Sequence, residues 1–108
     1  RLGSTMEFSG FDDSLNAKRL AALEKGAREY LIEPIGSEVQ EQWYGWRPMT
    51  YDDLPIISKS PKHENLFIAT GHGMLGMSMS AITGQLIAEL ITGQTPTCDL
   101  KPFSAGRF

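Results

Sequence analysis

Residues 65–90 read NLFIATGHGMLGMSMSAITGQLIAEL, and this stretch decides the fold. Its first six residues form a short apolar run with aromatic and β-branched side chains, which predicts a strand. Three glycines follow within six residues, and the fifteen residues after Gly76 contain no proline, so we expect a glycine turn and then a long helix. Such a turn lets a ligand approach the backbone, and amide groups at the helix start then face an anion or a polarised oxygen. We therefore expect a ligand contact here.

The helix expected over residues 77–91 is apolar around most of its circumference, which is typical of a helix buried in a larger body. A mid-helix glycine costs about 1 kcal/mol relative to alanine, so we expect another backbone to pack closely against Gly84. Gly93 stands where a left-handed C-cap belongs. The tail after it offers three anchors, Pro102, Phe103 and Phe108.

The rest of the chain predicts an α+β fold with two main helices, at about residues 14–31 and 77–91. The first helix follows the capping oxygens of Asp12, Asp13 and Ser14 and ends before Pro34. Period-2 or short apolar patterns predict strands at residues 2–8, 38–46, 54–58 and 65–70.

Composition narrows the function classes. The chain has 108 residues, which is one domain at most, with 41% hydrophobic and 21% charged residues, as in ordinary globular proteins. The net charge of −3 and the scattered positions of the ten Lys and Arg residues argue against a nucleic-acid partner. One cysteine and two histidines at unrelated spacings form no zinc pattern, so we expect no metal.

The chain begins with Arg1 and a strand pattern follows at once, without the features of a signal peptide. We expect that the natural upstream portion is missing. The expected location is the cytoplasm, or a peripheral attachment to the inner membrane.

Gly71, Gly73 and Gly76 satisfy the dinucleotide pattern G-x-G-x-x-G between a strand and a helix. That fingerprint also needs a second parallel strand about 20 residues on, ending in an acidic residue. Residues 93–99 contain a proline and no apolar run, so an NAD-dependent enzyme is disfavoured unless a parallel strand follows residue 93. The alternative is that the three glycines only allow close packing between strand and helix.

An ordered set of motifs resembles the C-terminal part of FAD-dependent D-amino-acid oxidases and dehydrogenases, with the bacterial D-amino-acid dehydrogenases the most similar branch. The motifs are GSTMEFSGFD at 3–12, WRPMT at 46–50, LPII at 54–57, NLFIATGHGMLG at 65–76 and TGQLIA at 83–88. The resemblance implies a partial FAD-binding and substrate-domain fold. Residues 1–46 would return from the substrate domain, and residues 47–108 would form the strand, turn and helix that contact the flavin, followed by the tail.

The same resemblance implies which residues meet the cofactor. The Gly-rich unit that holds the ADP half of FAD in this family is absent here, and the present turn is similar to the family's second flavin contact. The implied contacts are Gly71, His72, Gly73, Met74, Leu75, Gly76, Met77 and Ser78. A helix start suits this role because its dipole stabilises the negative charge of a reduced flavin.

Gly45-Trp46-Arg47-Pro48 is similar to the family's G-x-R-P motif, whose arginine binds the substrate carboxylate. This implies that Arg47 binds substrate through two parallel charge-assisted hydrogen bonds. The alternative for any single arginine is a surface salt bridge. His72 has a side chain suited to a base near neutral pH, but we favour a histidine that is packed and hydrogen-bonded beside the flavin.

The leading hypothesis is thus part of a flavoenzyme that oxidises an amino acid, of D configuration, to an imino acid by hydride transfer to FAD. The alternative is a non-catalytic binding or interaction module whose turn at Gly71–Gly76 is only structural. We expect the 108 residues alone to be inactive, with an incomplete FAD site. We also expect them to self-associate or to expose an apolar surface.

Overall fold

The computed structural model describes residues 1–3, 5–33, 36 and 38–108. The chain divides into two compact units, Arg1–Trp46 and Arg47–Phe108. The described residues contain two α-helices and two β-strands, which confirms an α+β fold with two main helices.

Helix α1 spans Ala17–Tyr30 in the first unit. It begins later than expected because Asp12 Oδ1 accepts from the Ser14 amide at 2.9 Å, which forms a local turn instead of a cap. Asn16 is the N-cap, and its Oδ1 accepts from the amides of Lys18 and Arg19 at 3.1 and 3.2 Å. The helix ends at its C-cap Leu31, and Pro34, the expected terminator, lies outside the described residues.

The strands expected at residues 2–8 and 38–46 are wrong. No described residue in either range belongs to a sheet, and Ser4 lies outside the described residues. A strand needs a neighbour to complete its backbone hydrogen bonds, and the described part of the first unit supplies none. The aromatic residues of the second range instead pack locally, with the rings of Trp46 and Phe11 edge to face at 5.6 Å.

The second unit is built on an antiparallel pair of strands. Strand β1, Ile56–Lys59, pairs with β2, Phe67–Thr70, in the register Ile56 to Thr70 and Lys59 to Phe67. The loop between them closes where the Ser60 amide donates to the Leu66 carbonyl at 2.8 Å. Pro55 immediately precedes β1, where its missing N–H removes no bond of the ladder.

Helix α2, Gly76–Ile91, packs on this sheet and forms the core with it. Ile57 of β1 and Leu86 of α2 are the most buried apolar side chains, at 1% and 2% exposure. Glu89 is buried too, and its carboxylate accepts from Gln85 Nε2 at 2.9 Å and from the Thr97 amide at 3.0 Å. These bonds, with that of Gln85 the largest influence, lower the pKa of Glu89.

The end of α2 confirms the expected cap. The amide of Gly93 donates to the Leu90 carbonyl at 3.4 Å and that of Gln94 to the Glu89 carbonyl at 2.9 Å, and Gly93 has φ +69°. This pair of bonds is the Schellman motif. The expectation for Gly84 is wrong within the described chain, because a Cβ there would meet nothing within 4 Å.

Most of α2 faces away from the sheet. Only Thr83, Leu86 and Glu89 are buried among its residues, and Met77 is 90% exposed. By length and composition alone, the helical stretch Gly73–Ile91 could cross a membrane. A core helix of a larger protein passes the same test, and the packing of α2 on the sheet agrees with that reading.

Candidate functional site

The turn between β2 and α2 requires glycine at its first position. Gly71 has φ +77°, and a Cβ there would lie 2.5 Å from Thr50 Cγ2, so both conformation and space exclude a side chain. Gly73 has φ +53°, and its amide donates to the Pro48 carbonyl at 3.0 Å. The turn is therefore a fixed backbone structure that contacts the segment around Pro48.

His72 is held from two sides. Its backbone forms an isolated antiparallel bridge with Met49, and its Nε2 lies 3.0 Å from the hydroxyl oxygen of Thr83. Thr83 is buried about two turns into α2, so the imidazole connects the turn to the helix that follows it. This hydrogen bond engages one of the two ring nitrogens of His72.

The turn continues through a short 3₁₀ turn, Gly73–Leu75, into α2. Among the described residues no side chain caps α2, which continues directly from the 3₁₀ turn. Apolar side chains surround this helix start and are exposed: Met74 at 73%, Leu75 at 56% and Met77 at 90%. Ser78 is exposed beside them. The helix start is thus surrounded by exposed apolar side chains.

Gly76 differs from the other two glycines of the pattern. Its φ and ψ of −52° and −47° are ordinary helical values, and a Cβ would meet only His72 Cβ at 3.7 Å. Neither the backbone conformation nor the packing of the described residues requires glycine here. The space at Gly76 is available to a molecule outside the described chain.

Arg47 begins the second unit and precedes the residues that touch the turn. Pro48 accepts from Gly73 and Met49 pairs with His72, so the backbone next to Arg47 is fixed against the glycine turn. Its side chain is exposed and makes no hydrogen bond or ion pair with any described residue. The structure therefore brings Arg47 and the turn into one neighbourhood, with the guanidinium available.

Arg107 is a residue that the sequence reasoning missed. Its guanidinium forms an ion pair with Asp52, with Nε donating to Oδ2 at 2.6 Å and Nη2 to Oδ1 at 2.9 Å. These bonds hold the pKa of the Asp52 carboxyl well below its usual range. The contact joins residues 55 apart, so it leaves no local pattern in the sequence from which it could be predicted.

The three residues expected to anchor the tail differ in burial. Phe103 is half-buried, whereas Pro102 and Phe108 are exposed.

The topology excludes a dinucleotide unit of the NAD type. Residues 93–108, all of them described, contain no strand, and β2 pairs with β1 in antiparallel orientation. The fingerprint needs a parallel second strand after the helix. The G-x-G-x-x-G pattern therefore occurs here in another structural setting.

Residues 1–90 match the family model described as FAD dependent oxidoreductase. The match covers most of the chain, and the chain therefore belongs to the FAD-dependent oxidoreductase family. This agrees with the resemblance found in its motifs and confirms FAD as the cofactor of its family.

The similar proteins are amino-acid-oxidising enzymes by name. The chain is 38% identical over 110 residues to D-amino acid dehydrogenase of Methylobacterium nodulans and 40% identical over 110 residues to that of Xanthobacter autotrophicus. In both alignments it is covered completely and spans 25% of the relative's length. Its structure is similar to glycine oxidase from Geobacillus kaustophilus, with TM-score 0.77 and 34% identity over 91% of this chain and 26% of that one.

The helix start fits part of a flavin. A flavin ring is flat and largely apolar with polar edge atoms, and the exposed side chains of Met74, Leu75 and Met77 offer apolar surface beside the start of α2. Gly76 adds room for close approach to the backbone. The exposed side chains around this helix start are apolar, so contact with a ring suits the surface better than contact with a diphosphate.

Proposed function

We propose that these residues form the substrate-carboxylate and flavin-contacting part of an FAD-dependent enzyme that oxidises an amino acid, of D configuration, to the imino acid. The observation that carries the proposal is the attachment of the Arg47 segment to the glycine turn through Pro48 and Met49. A group that binds substrate and a group that binds cofactor are thereby held together. Bound FAD supplies the chemistry by accepting a hydride from the α-carbon of the amino acid.

The role of Arg47 is to bind and orient the substrate. Its exposed guanidinium has no partner among the described residues, and two parallel hydrogen bonds to a carboxylate would fix both the position and the direction of the substrate. Fixing the carboxylate also fixes the α-carbon, which lies one bond away. Orientation of this kind lowers the barrier because the reacting atoms start close to their reactive geometry.

The role of residues 71–78 is to hold the cofactor. Gly71 and Gly73 set the path of the backbone, and Gly76 leaves space for close approach. Met74, Leu75 and Met77 would cover apolar cofactor surface, and Ser78 lies in the first turn of α2. The positive end of the α2 dipole would favour negative charge on the bound cofactor. His72 keeps the turn in place through Thr83 and takes no proton in this proposal.

The test uses the full-length holoenzyme that contains these residues. Anaerobic mixing with D-alanine should bleach the flavin absorbance, and L-alanine should not. Glycine is tested in parallel, and faster flavin reduction by glycine than by D-alanine would indicate the specificity of a glycine oxidase. Arg47→Ala should raise KM for the amino acid about 100-fold or more, with FAD content unchanged, because a charge-assisted bidentate contact is lost.

Arg47→Lys is the conservative variant, and it should recover only part of the loss because an ammonium group lacks the planar fork. Arg19→Ala in α1 is the matched control and should leave KM unchanged. An unchanged KM in Arg47→Ala would remove Arg47 from the site. Absence of flavin reduction by every amino acid tested would favour a non-catalytic module instead.

A further inference from the structure

All three nitrogen atoms of the Arg107 guanidinium donate hydrogen bonds. Besides the two bonds to Asp52, Nη2 donates to the Leu54 carbonyl at 2.7 Å and Nη1 to the Ser104 carbonyl at 2.9 Å. The side chain is only 13% exposed. We call the bonds from Arg107 to Asp52 and Leu54 the Arg107 clamp. A planar donor group bonded in this way fixes the direction as well as the position of its partners.

The segment that carries Arg107 is hydrogen-bonded to the sheet. The Ala105 amide, two residues before Arg107, donates to Ser58 Oγ at 3.0 Å, and Ser58 is a buried residue of β1. The ring of Phe108 lies against the guanidinium, 4.5 Å from its central carbon to the ring centroid. Arg107 is therefore a fixed point from which the clamp can hold other residues.

The loop of residues 50–54, which the Arg107 clamp holds, follows directly after the residues next to Arg47. Thr50 Oγ1 donates to the Leu54 carbonyl at 2.6 Å, and the Asp53 amide donates to the Thr50 carbonyl at 3.3 Å, so residues 50–54 are cross-linked by their own hydrogen bonds. Pro48, just before them, is bonded to Gly73. The segment that carries Arg47 is thus fixed by the glycine turn in its middle and by Arg107 at its far end.

We propose that Arg107 is a positioning residue for Arg47. This inference rests on the proposed function, in which Arg47 binds the substrate carboxylate. Arg107 does not touch substrate. It fixes Asp52 and Leu54, and through the cross-linked loop it fixes the backbone from which the Arg47 side chain extends. Loss of the clamp therefore misplaces the carboxylate-binding group and weakens substrate binding. Arg107 lies beyond residues 1–90, the range that matches the family model.

The experiment measures KM and kcat of the full-length holoenzyme for D-alanine and glycine. Arg107→Met should raise KM about tenfold and lower kcat less than about threefold, because a small misplacement of a binding group is costly. Arg107→Lys and Asp52→Asn each keep part of the clamp and should raise KM about threefold. Both remain informative if Arg107→Met yields little soluble enzyme.

A double-mutant cycle separates positioning from general destabilisation. In an Arg47→Ala background, Arg107→Met should change KM less than about twofold, because its route to the substrate is already removed. A merely structural role would lower activity equally in both backgrounds. The matched control is Arg28→Met, which removes an exposed arginine paired with Glu24 at 2.7 Å in α1 and should leave KM unchanged.

The outcomes for the two proposals differ. If Arg47→Ala raises KM while all three clamp variants leave it unchanged, the inference about Arg107 is overturned and the proposed function stands. Equal effects of Arg107→Met with and without Arg47 also overturn the inference, as does insolubility of all three clamp variants, which would assign Arg107 to folding. A wild-type holoenzyme that oxidises neither amino acid overturns both.

Discussion

His72 Nε2 and Thr83 Oγ1 lie 3.0 Å apart and connect the glycine turn to the buried face of α2. Thr83 is 8% exposed, so its hydroxyl has little access to solvent. The bond fixes the imidazole between the turn and the helix. The position of the turn, and of the Arg47 segment paired with it, therefore depends on a polar contact inside the small core.

Thr83→Val tests this contact because valine has the same shape and lacks the hydroxyl. We expect the free energy of unfolding to fall by about 1–2 kcal/mol, since a partly buried ring nitrogen loses its partner. Thr92→Val is the matched control at the C-cap of the same helix, where an exposed hydroxyl donates to the Ala88 carbonyl at 2.8 Å. Urea titration of the full-length apoprotein makes the comparison, and equal losses in the two variants would contradict the prediction.

Gly76→Ala separates a structural role of the third glycine from a cofactor role. Its helical conformation accepts alanine, so we expect unfolding to require about 0.5–1 kcal/mol more. FAD affinity should fall at the same time, because the methyl group occupies the space proposed for the cofactor. Gly26→Ala in α1, where a Cβ meets nothing within 4 Å, should leave FAD affinity unchanged. Equal FAD affinity in both variants and wild type would exclude a cofactor contact at Gly76.

The ion pair between Asp52 and Arg107 predicts a pH dependence of stability. Bonding to Arg107 lowers the pKa of the folded Asp52 carboxyl, whereas the unfolded carboxyl titrates near its usual value of about 3.9. The stabilisation is therefore complete above about pH 5 and declines as pH falls below about 4. Thermal melts of wild type and Asp52→Asn should differ by a constant amount from pH 8 to about 5 and converge in acid.

The control for this pH series is Glu24→Gln, which removes an ion pair whose two side chains are 56% and 48% exposed. An exposed pair contributes little, so this variant should follow the wild-type curve throughout. A gap between wild type and Asp52→Asn that stays constant down to pH 3 would contradict the assignment to the Asp52 carboxyl.

The 108-residue chain alone should neither oxidise amino acids nor retain FAD, and the exposed side of α2 should make it self-associate. Met77 and Ile91, at 90% and 58% exposure, are the test positions. Sedimentation should detect oligomers that Met77→Lys and Ile91→Lys reduce, whereas Thr92→Lys should not. A monomer that binds no hydrophobic dye would contradict this expectation.

The strand, turn and helix of residues 65–91 could be predicted because their determinants are local. A short β-branched run, glycines at a turn and a long proline-free apolar segment each act over a few residues, and β2 and α2 differ from expectation by two residues or fewer at each end. The cap at Gly93 was predictable for the same reason. Arg47 could be named from its motif, although the exposure of its side chain became evident only in the structure.

Other features depend on distant partners. The alternating residues of 2–8 and 38–46 have the pattern of a strand, but the described chain supplies no neighbouring strand. The pattern alone therefore gave a wrong prediction of two strands. The cap of α1 was expected among Asp12, Asp13 and Ser14, but Asn16 takes that role, because Asp12 instead accepts from the Ser14 amide in a local turn. The Arg107 clamp joins residues that no short-range rule relates.

The separation of 55 residues between Asp52 and Arg107 also orders events during synthesis. A ribosome releases the chain from its N-terminus, so the Arg47 segment, the glycine turn and α2 all leave the exit tunnel before Arg107 does. Until then Asp52 lacks the guanidinium of Arg107, and the bonds that hold its loop among the described residues are the loop's own and the one from Gly73 to Pro48. The Arg47 segment, which we propose binds the substrate carboxylate, is therefore among the last parts of this unit to reach its final position, and a nascent chain stalled before residue 107 would carry this segment without the Arg107 clamp.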